Sequence, residues 1–191
     1  MDSLLQPAEL HTAASVLARP GPVPAAAGVY AWYFPVVPSL VPVEGCHRFG
    51  GATLLYVGIS PKAPAMNGRP PSRQTIRQRI RYHFRGNAYG STLRLTLGSL
   101  LADELGIRLT RVGSGTRLTF DAGEARLTEW MAANARVVWT VVDRSWDVEH
   151  ELIRSLELPL NLAQDKRHPF HRTLSRLVAE QRNQARVRGN P

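Results

Sequence analysis

Three short runs of β-branched and aromatic residues constrain this chain more than any other feature. They are Val29–Phe34, Leu54–Ile59 and Val137–Val142. Runs of that length and composition, bounded by Gly, Pro and polar residues, read as strands. The third is so uniformly β-branched that it reads as a buried strand. Pro35 to Gly51 is a loop containing Pro35, Pro38 and Pro42, and it closes on a Gly50-Gly51 turn. Pro61–Pro71 is a second Pro/Gly loop.

The remaining stretches have helical spacing and recognisable ends. A helix opens at Ser72 or Thr75 and runs to about Arg85, where Gly86 is a stop signal. A second spans Ser91–Leu105 and ends at Gly106. Ile107–Val112 and Thr116–Phe120 alternate around Gly113-Ser114-Gly115, which predicts a hairpin. Another helix runs from Asp121 or Ala122 to Asn134. Ser145 is placed to cap a helix from Trp146 to about Glu157. Residues 1–27 are Ala/Pro-rich, with a short helix around Ala8–Leu17 and an extended lead-in at Pro20, Pro22 and Pro24. Residues 162–191 predict a docked segment and then a basic helix that frays.

At 191 residues and 43% hydrophobic content, the chain can build one core, which excludes wholesale disorder. Its one cysteine, Cys46, excludes an intrachain disulfide framework and a cysteine-based zinc finger. No apolar run reaches the roughly 18 residues of a membrane span. The acidic start MDSLLQPAELH does not read as a secretion signal, so a cytoplasmic location is expected.

Charge points to a polyanionic partner. Lys+Arg is 24 against Asp+Glu 15, a net +9, and a basic excess of this kind suits nucleic acid. The excess is placed unevenly. No acid occurs between Glu44 and Asp103, a stretch holding Arg48, Lys62, Arg69, Arg73, Arg77, Arg79, Arg81, Arg85 and Arg94. The tail carries Lys166, Arg167, Arg172, Arg176, Arg182, Arg186 and Arg188 against Asp165 and Glu180. Two basic blocks after a mildly acidic start read as an oriented surface.

Gly28-Val29-Tyr30 on the first strand and Tyr56-Val57-Gly58 on the next resemble the paired motifs of GIY-YIG nucleases. Three more features follow in that family's order. Ile76-x-x-Arg79-Ile80-x-x-His83 resembles its arginine helix, Glu149-x-x-Leu152-Ile153-Arg154 its glutamate helix, and Pro159-Leu160-Asn161 its closing asparagine. The resemblance covers Gly28 to Asn161. It implies an α+β fold: a small central antiparallel sheet of about three core strands, flanked by helices. It divides the chain into an N-terminal extension (1–27), a nuclease-like domain (28–161) with insertions at 35–52 and 86–134, and a basic tail (162–191).

The residues by themselves leave alternatives open, and only the tyrosine motifs tip them towards a site. Ile76, Arg79, Ile80 and His83 share one helical face, so Arg79 and His83 sit inward or at its rim. Glu149 stands at the edge of the stripe formed by Leu152, Ile153 and Leu156. A charge there needs a partner. An Arg79–Glu149 salt bridge and an active site both satisfy that need. Arg73, Arg77, Arg81 and Arg85 recur every four residues. They form either a solvated face or a ridge that tracks phosphates.

The resemblance implies the roles. Glu149 would hold one divalent ion, Mg²⁺ or Mn²⁺. Arg79 would hold the scissile phosphate. Tyr30 would be the general base or would orient the water, and a free tyrosine's pKa near 10 then requires a neighbouring cation. Tyr56 and His83 would complete the hydrogen-bond network, His83 being otherwise a core-edge histidine. Asn161 would tie the last helix end to the sheet, or serve as a helix cap. The substrate expected is nucleic acid, DNA first, with no membrane partner, acted on by a monomer or weak homodimer. A non-catalytic nucleic-acid-binding module on the same scaffold is the alternative.

The chain departs from the family pattern in three places. Tyr30 and Tyr56 are separated by a Pro-rich insertion where the family has a short turn. Ile59 stands where some members carry a lysine, with Lys62 the nearest replacement. The 86–134 insertion is the candidate for specificity. In the tail, His168-Pro169-Phe170-His171 lacks a matching pair of ligands beyond Cys46-His47, so it reads as a docked turn. Trp32, Trp130, Trp139 and Trp146 are expected in the core, with base stacking open to Trp146 if exposed.

Overall fold

In chain order the elements are α1 (Asp2–Leu5), α2 (Ala13–Leu17), β1 (Gly28–Phe34), β2 (Arg48–Phe49), β3 (Ala52–Ser60), α3 (Ile76–Arg85), α4 (Thr92–Leu100), β4 (Thr110–Arg111), β5 (Leu118–Thr119), α5 (Gly123–Asn134), β6 (Arg136–Val141), α6 (Ser145–Ser155) and α7 (His171–Arg188). They are taken from a computed structural model in which residues 2–64, 72–113, 115–162 and 166–188 are described.

The main sheet has the order β2-β3-β1-β6. Every neighbouring pair in it is antiparallel. The fold is therefore α+β with a central antiparallel sheet flanked by helices, as expected. A fourth strand comes from the turn at Gly50 and Gly51. Both glycines have positive φ, 54° and 76°, a conformation open to glycine at no steric cost. The chain thereby folds Arg48-Phe49 back onto β3, with Phe49 opposite Ala52.

All seven residues of β1 are buried, and its alternation sorts them between two cores. Tyr30, Trp32 and Phe34 pack with Ile76, Ile80 and Phe84 of α3, with α4 and α5, and with Leu174, Val178 and Ala185 of α7. Val29, Ala31 and Tyr33 pack on the opposite face with Leu4 of α1 and with Leu152 and Ile153 of α6. The arginine-bearing helix and the glutamate-bearing helix thus cover opposite faces of one strand.

Local capping explains most boundaries. Thr75 and Gln78 form a reciprocal capping box that starts α3 at Ile76, and Gly86 ends the helix. Arg73 therefore lies before the helix and outside its stripe. Ser91 caps α4 through the Arg94 N–H. That helix stops at Leu100, earlier than its pattern suggested, because a series of turns follows up to Gly106 at φ 60°. The N-terminal helix is split, since Thr12 caps α2 and restarts it at Ala13. The hairpin forms, with Thr110 opposite Thr119 and Arg111 opposite Leu118. Ser114 of its turn, and most of the Pro61–Pro71 loop with Arg69, lie outside the described residues.

Two expectations are corrected. β6 is an edge strand, not a buried one. Val137 and Val138 are buried, but Val141 is 55% exposed. Ser145 is the first residue of α6 rather than its cap, and its buried hydroxyl has no partner among the described residues. The tail does dock. Gln181 Oε1 accepts the Leu109 N–H at 3.1 Å, fixing α7 beside β4.

Candidate active site

The strand register explains why glycine and tyrosine occur together. Tyr30 on β1 pairs with Gly58 on β3. A Cβ on Gly58 would stand 2.7 Å from the Tyr30 hydroxyl, so only glycine leaves room for the ring. A Cβ on Gly28 would collide with the Thr140 carbonyl of β6. One glycine admits the tyrosine and the other admits the neighbouring strand.

Tyr30 and Tyr56 line a cleft of about 940 Å³ together with Arg79, Glu149, Lys62, Tyr89, Trp146, Arg182 and Arg186. Glu149 is the one acid among its lining residues, against four bases. Among the described residues the cleft is thus electropositive with a single carboxylate inside.

His83 is fully buried behind the tyrosines. Its Nε2 is 3.0 Å from the Tyr30 hydroxyl, and its Nδ1 is 2.7 Å from Ser91 Oγ. Ser91 Oγ already accepts the Arg94 N–H at 3.1 Å. The neutral ring carries one hydrogen, so it donates to one of these two hydroxyls and accepts from the other, as its tautomer dictates. Burial, with the charges of Arg79 and Arg94, holds the His83 pKa well below its usual value, so the ring is neutral. The Tyr30 hydroxyl keeps its proton. Burial raises its pKa to about 12, while the Arg79 guanidinium pulls the other way through charge and hydrogen bonding.

Arg79 also donates from Nη1 to the Gly90 carbonyl at 2.7 Å, which leaves its remaining donors for the cleft. No Arg79–Glu149 salt bridge exists among the described residues, and the structural alternative falls. Desolvation raises the Glu149 pKa to about 7, with Lys62 lowering it in part. A carboxyl in that condition is one that a cation would stabilise.

The family model for the GIY-YIG catalytic domain matches residues 28–183. The chain belongs to the GIY-YIG family. Searches of curated proteins and of solved structures returned no match.

GIY-YIG domains are nuclease-type hydrolases that generally use divalent metals. Among the described residues, no three His, Cys, Asp or Glu side chains gather as a metal cluster. A carboxylate facing an electropositive cleft still suits Mg²⁺, which binds through one or two carboxylates, water and substrate phosphates. The donor set therefore fits a metal completed by substrate.

The other expected GIY-YIG residues fall in three groups. Asn161 is buried and accepts the Val57 N–H at 2.9 Å while donating to the Val57 carbonyl at 2.8 Å. It ties the segment after α6 to β3, and the cap of α6 is Leu156 instead. Lys62 faces Glu149 in the cleft. The arginine stripe does not behave as a free face. Arg77 Nε donates to the Val23 carbonyl, and Arg81 holds the carbonyls of Val16 and Leu17. These two anchor the N-terminal extension, whereas Arg73 and Arg85 are exposed.

Some residues of this GIY-YIG site escaped the sequence. In the sequence Ser91 stands only as the start of a helix. Arg94 was counted with the surface charges, yet it is 0% exposed. The tail histidines are structural: His168 Nε2 lies 3.3 Å from Glu157. Of the tryptophans, Trp32 is fully buried, while Trp130 and Trp139 pack partly buried against the core. Among the described residues, no helix is long and apolar enough to cross a membrane.

Proposed function

We propose that the protein is a divalent-metal-dependent endonuclease that hydrolyses phosphodiester bonds in DNA through this single site, with Mg²⁺ or Mn²⁺ held by Glu149. The observation carrying the reading is the meeting of Tyr30, Arg79 and Glu149 in one electropositive cleft, with the hydrogen-bonded His83 behind Tyr30.

The chain's own groups define the work. Arg79 and Lys62 receive the scissile phosphate and offset charge that grows in the transition state. The ion supplies Lewis acidity and bound water when present. Tyr30 accepts the water's proton once it is a phenolate. At rest, burial prevents that. A phenolate would be stabilised by Arg79, by a cation arriving with substrate and, in the tautomer with its hydrogen on Nε2, by His83. Asn161 keeps β3, and so Tyr56 and Gly58, in register with α6. A single site cuts one strand, so a duplex break needs two visits or two copies.

The test is nicking of supercoiled plasmid in Mg²⁺, Mn²⁺ or EDTA by wild type and Glu149→Ala. Metal-dependent nicking lost in the variant is expected. Salt-sensitive binding without cleavage under either metal would replace the nuclease by a binding module.

A further inference from the structure

The C-terminal helix supplies part of the cleft without belonging to any of the five family motifs. Its buried seam is Leu174, Val178, Gln181 and Ala185. Gln181 is also pinned to the Leu109 N–H. Arg182 and Arg186 follow the last two seam residues, one turn apart. Both are exposed, and both line the cleft that contains Tyr30, Arg79 and Glu149. Neither has an ion pair with an acid among the described residues.

Other arginines of the chain are already engaged. Arg94 pairs with Glu124, Arg108 with Asp103, Arg144 with Asp147 and Arg176 with Glu180. Arg77 and Arg81 hold carbonyls of the N-terminal extension. Two unpaired guanidiniums on a pinned helix, facing one carboxylate across a cleft, are placed to meet an extended polyanion.

We propose that Arg182 and Arg186 form a phosphate clamp that grips the nucleic-acid backbone in this cleft, engaging two successive phosphates. Residues four apart on a helix are separated by about 6 Å along its axis, a span suited to neighbouring phosphates of one strand. The clamp positions the strand and reads no base. It rests on the proposed function only for the identity of the polyanion.

Binding is measured in EDTA, so that no cleavage enters. A labelled DNA duplex and its single strand are titrated by fluorescence anisotropy across a salt series. The proteins are wild type, R182A/R186A, R182K/R186K and the control pair R172A/R176A. The control removes two exposed charges from the same helix outside the cleft lining.

Counterion release predicts that R182A/R186A lowers the slope of log K against log salt by about 2. At fixed low salt, affinity should fall on the order of tenfold or more. R182K/R186K should keep most of the slope, and the control pair should change it by less than half as much. Thermal melting should show all three variants folded, because the substituted side chains are exposed. An unchanged slope in R182A/R186A, an equal loss in the control pair, or no salt-dependent binding by wild type overturns the clamp. Binding that obeys these expectations while plasmid stays uncut would instead refute the nuclease and leave the clamp standing.

Discussion

Arg94 is the side chain whose removal has the most calculable consequence. It is fully buried on α4, and its guanidinium is satisfied from three directions. Nε and Nη2 donate to Glu124 Oε2 at 3.0 and 2.6 Å. Nη2 also reaches the Glu124 carbonyl at 2.9 Å. Nη1 holds the His83 and Phe84 carbonyls at the end of α3, at 3.3 and 3.1 Å. Glu124 in turn accepts the N–H groups of Ala88 and Phe120 through Oε1. Arg94→Leu leaves a largely buried carboxylate unpaired and several carbonyls without donors. Breaking a buried pair from one side costs about 3–5 kcal/mol. For a chain of this size that is a fall in Tm of roughly 6–20 °C. Denaturant unfolding of the variant measures it. Adding Glu124→Gln should return at least about 1 kcal/mol, because the orphaned charge is gone while Oε1 still accepts both N–H groups. A loss below about 1 kcal/mol in Arg94→Leu, or no recovery in the double variant, would refute this account of the buried pair.

Other expectations follow from the same structure. In metal-free protein, burial raises the Glu149 pKa to about 7 from its ordinary 4.5, so the native state holds the extra proton between them. Stability should fall as pH rises through that window and level off above it; Glu149→Gln should melt higher than wild type at pH above 7 in EDTA, and parallel melting curves at every pH would contradict this. Gly58→Ala places a methyl against the Tyr30 ring, at an overpacking cost of about 1–3 kcal/mol, and nicking should fall well beyond what the lost stability explains; nicking at the wild-type rate would show that the Tyr30 position is not critical. Asn161→Ala orphans two buried backbone groups of Val57 at roughly 1–3 kcal/mol each, a loss readable in urea melts. Burial first, then Glu157 and Glu44, raise the Cys46 thiol to about 11 from 9.0; alkylation near pH 8 should run about 100-fold slower than for a free thiol, and rapid labelling would count against that shielding.

Sequence disclosed the parts of this protein whose signals are local. The β-branched and aromatic runs became β1, β3 and β6, because a period of two and a short length suffice to define a strand. Ile76, Arg79, Ile80 and His83 announced a helix face that turns inward, and His83 is indeed buried there. The cleft also gathers Tyr30, Tyr56, Arg79 and Glu149. What stayed hidden depends on distant partners. Arg94 and Arg85 look alike in a basic stretch, and only Glu124, thirty residues further along, draws one of them into the core. Arg77 and Arg81 lost their place in a solvated stripe because the Pro-rich lead-in brings carbonyls to them. Ser145 read as a cap because its neighbours have helical pattern, yet the chain enters α6 one residue earlier through Arg144. The place of Arg182 and Arg186 required knowing where α7 docks.

The bond from Asn161 to Val57 joins positions 104 apart in the chain, and Tyr30 meets His83 across 53. Closing such separations costs loop entropy before any contact repays it. A nascent or partly unfolded chain therefore carries the tyrosines, the arginine and the glutamate without their arrangement. The order of synthesis places Glu149 and Asn161 well after the strands that need them. The cleft that gathers Tyr30, Arg79 and Glu149 is therefore assembled only once the sheet and the segment after α6 have come together.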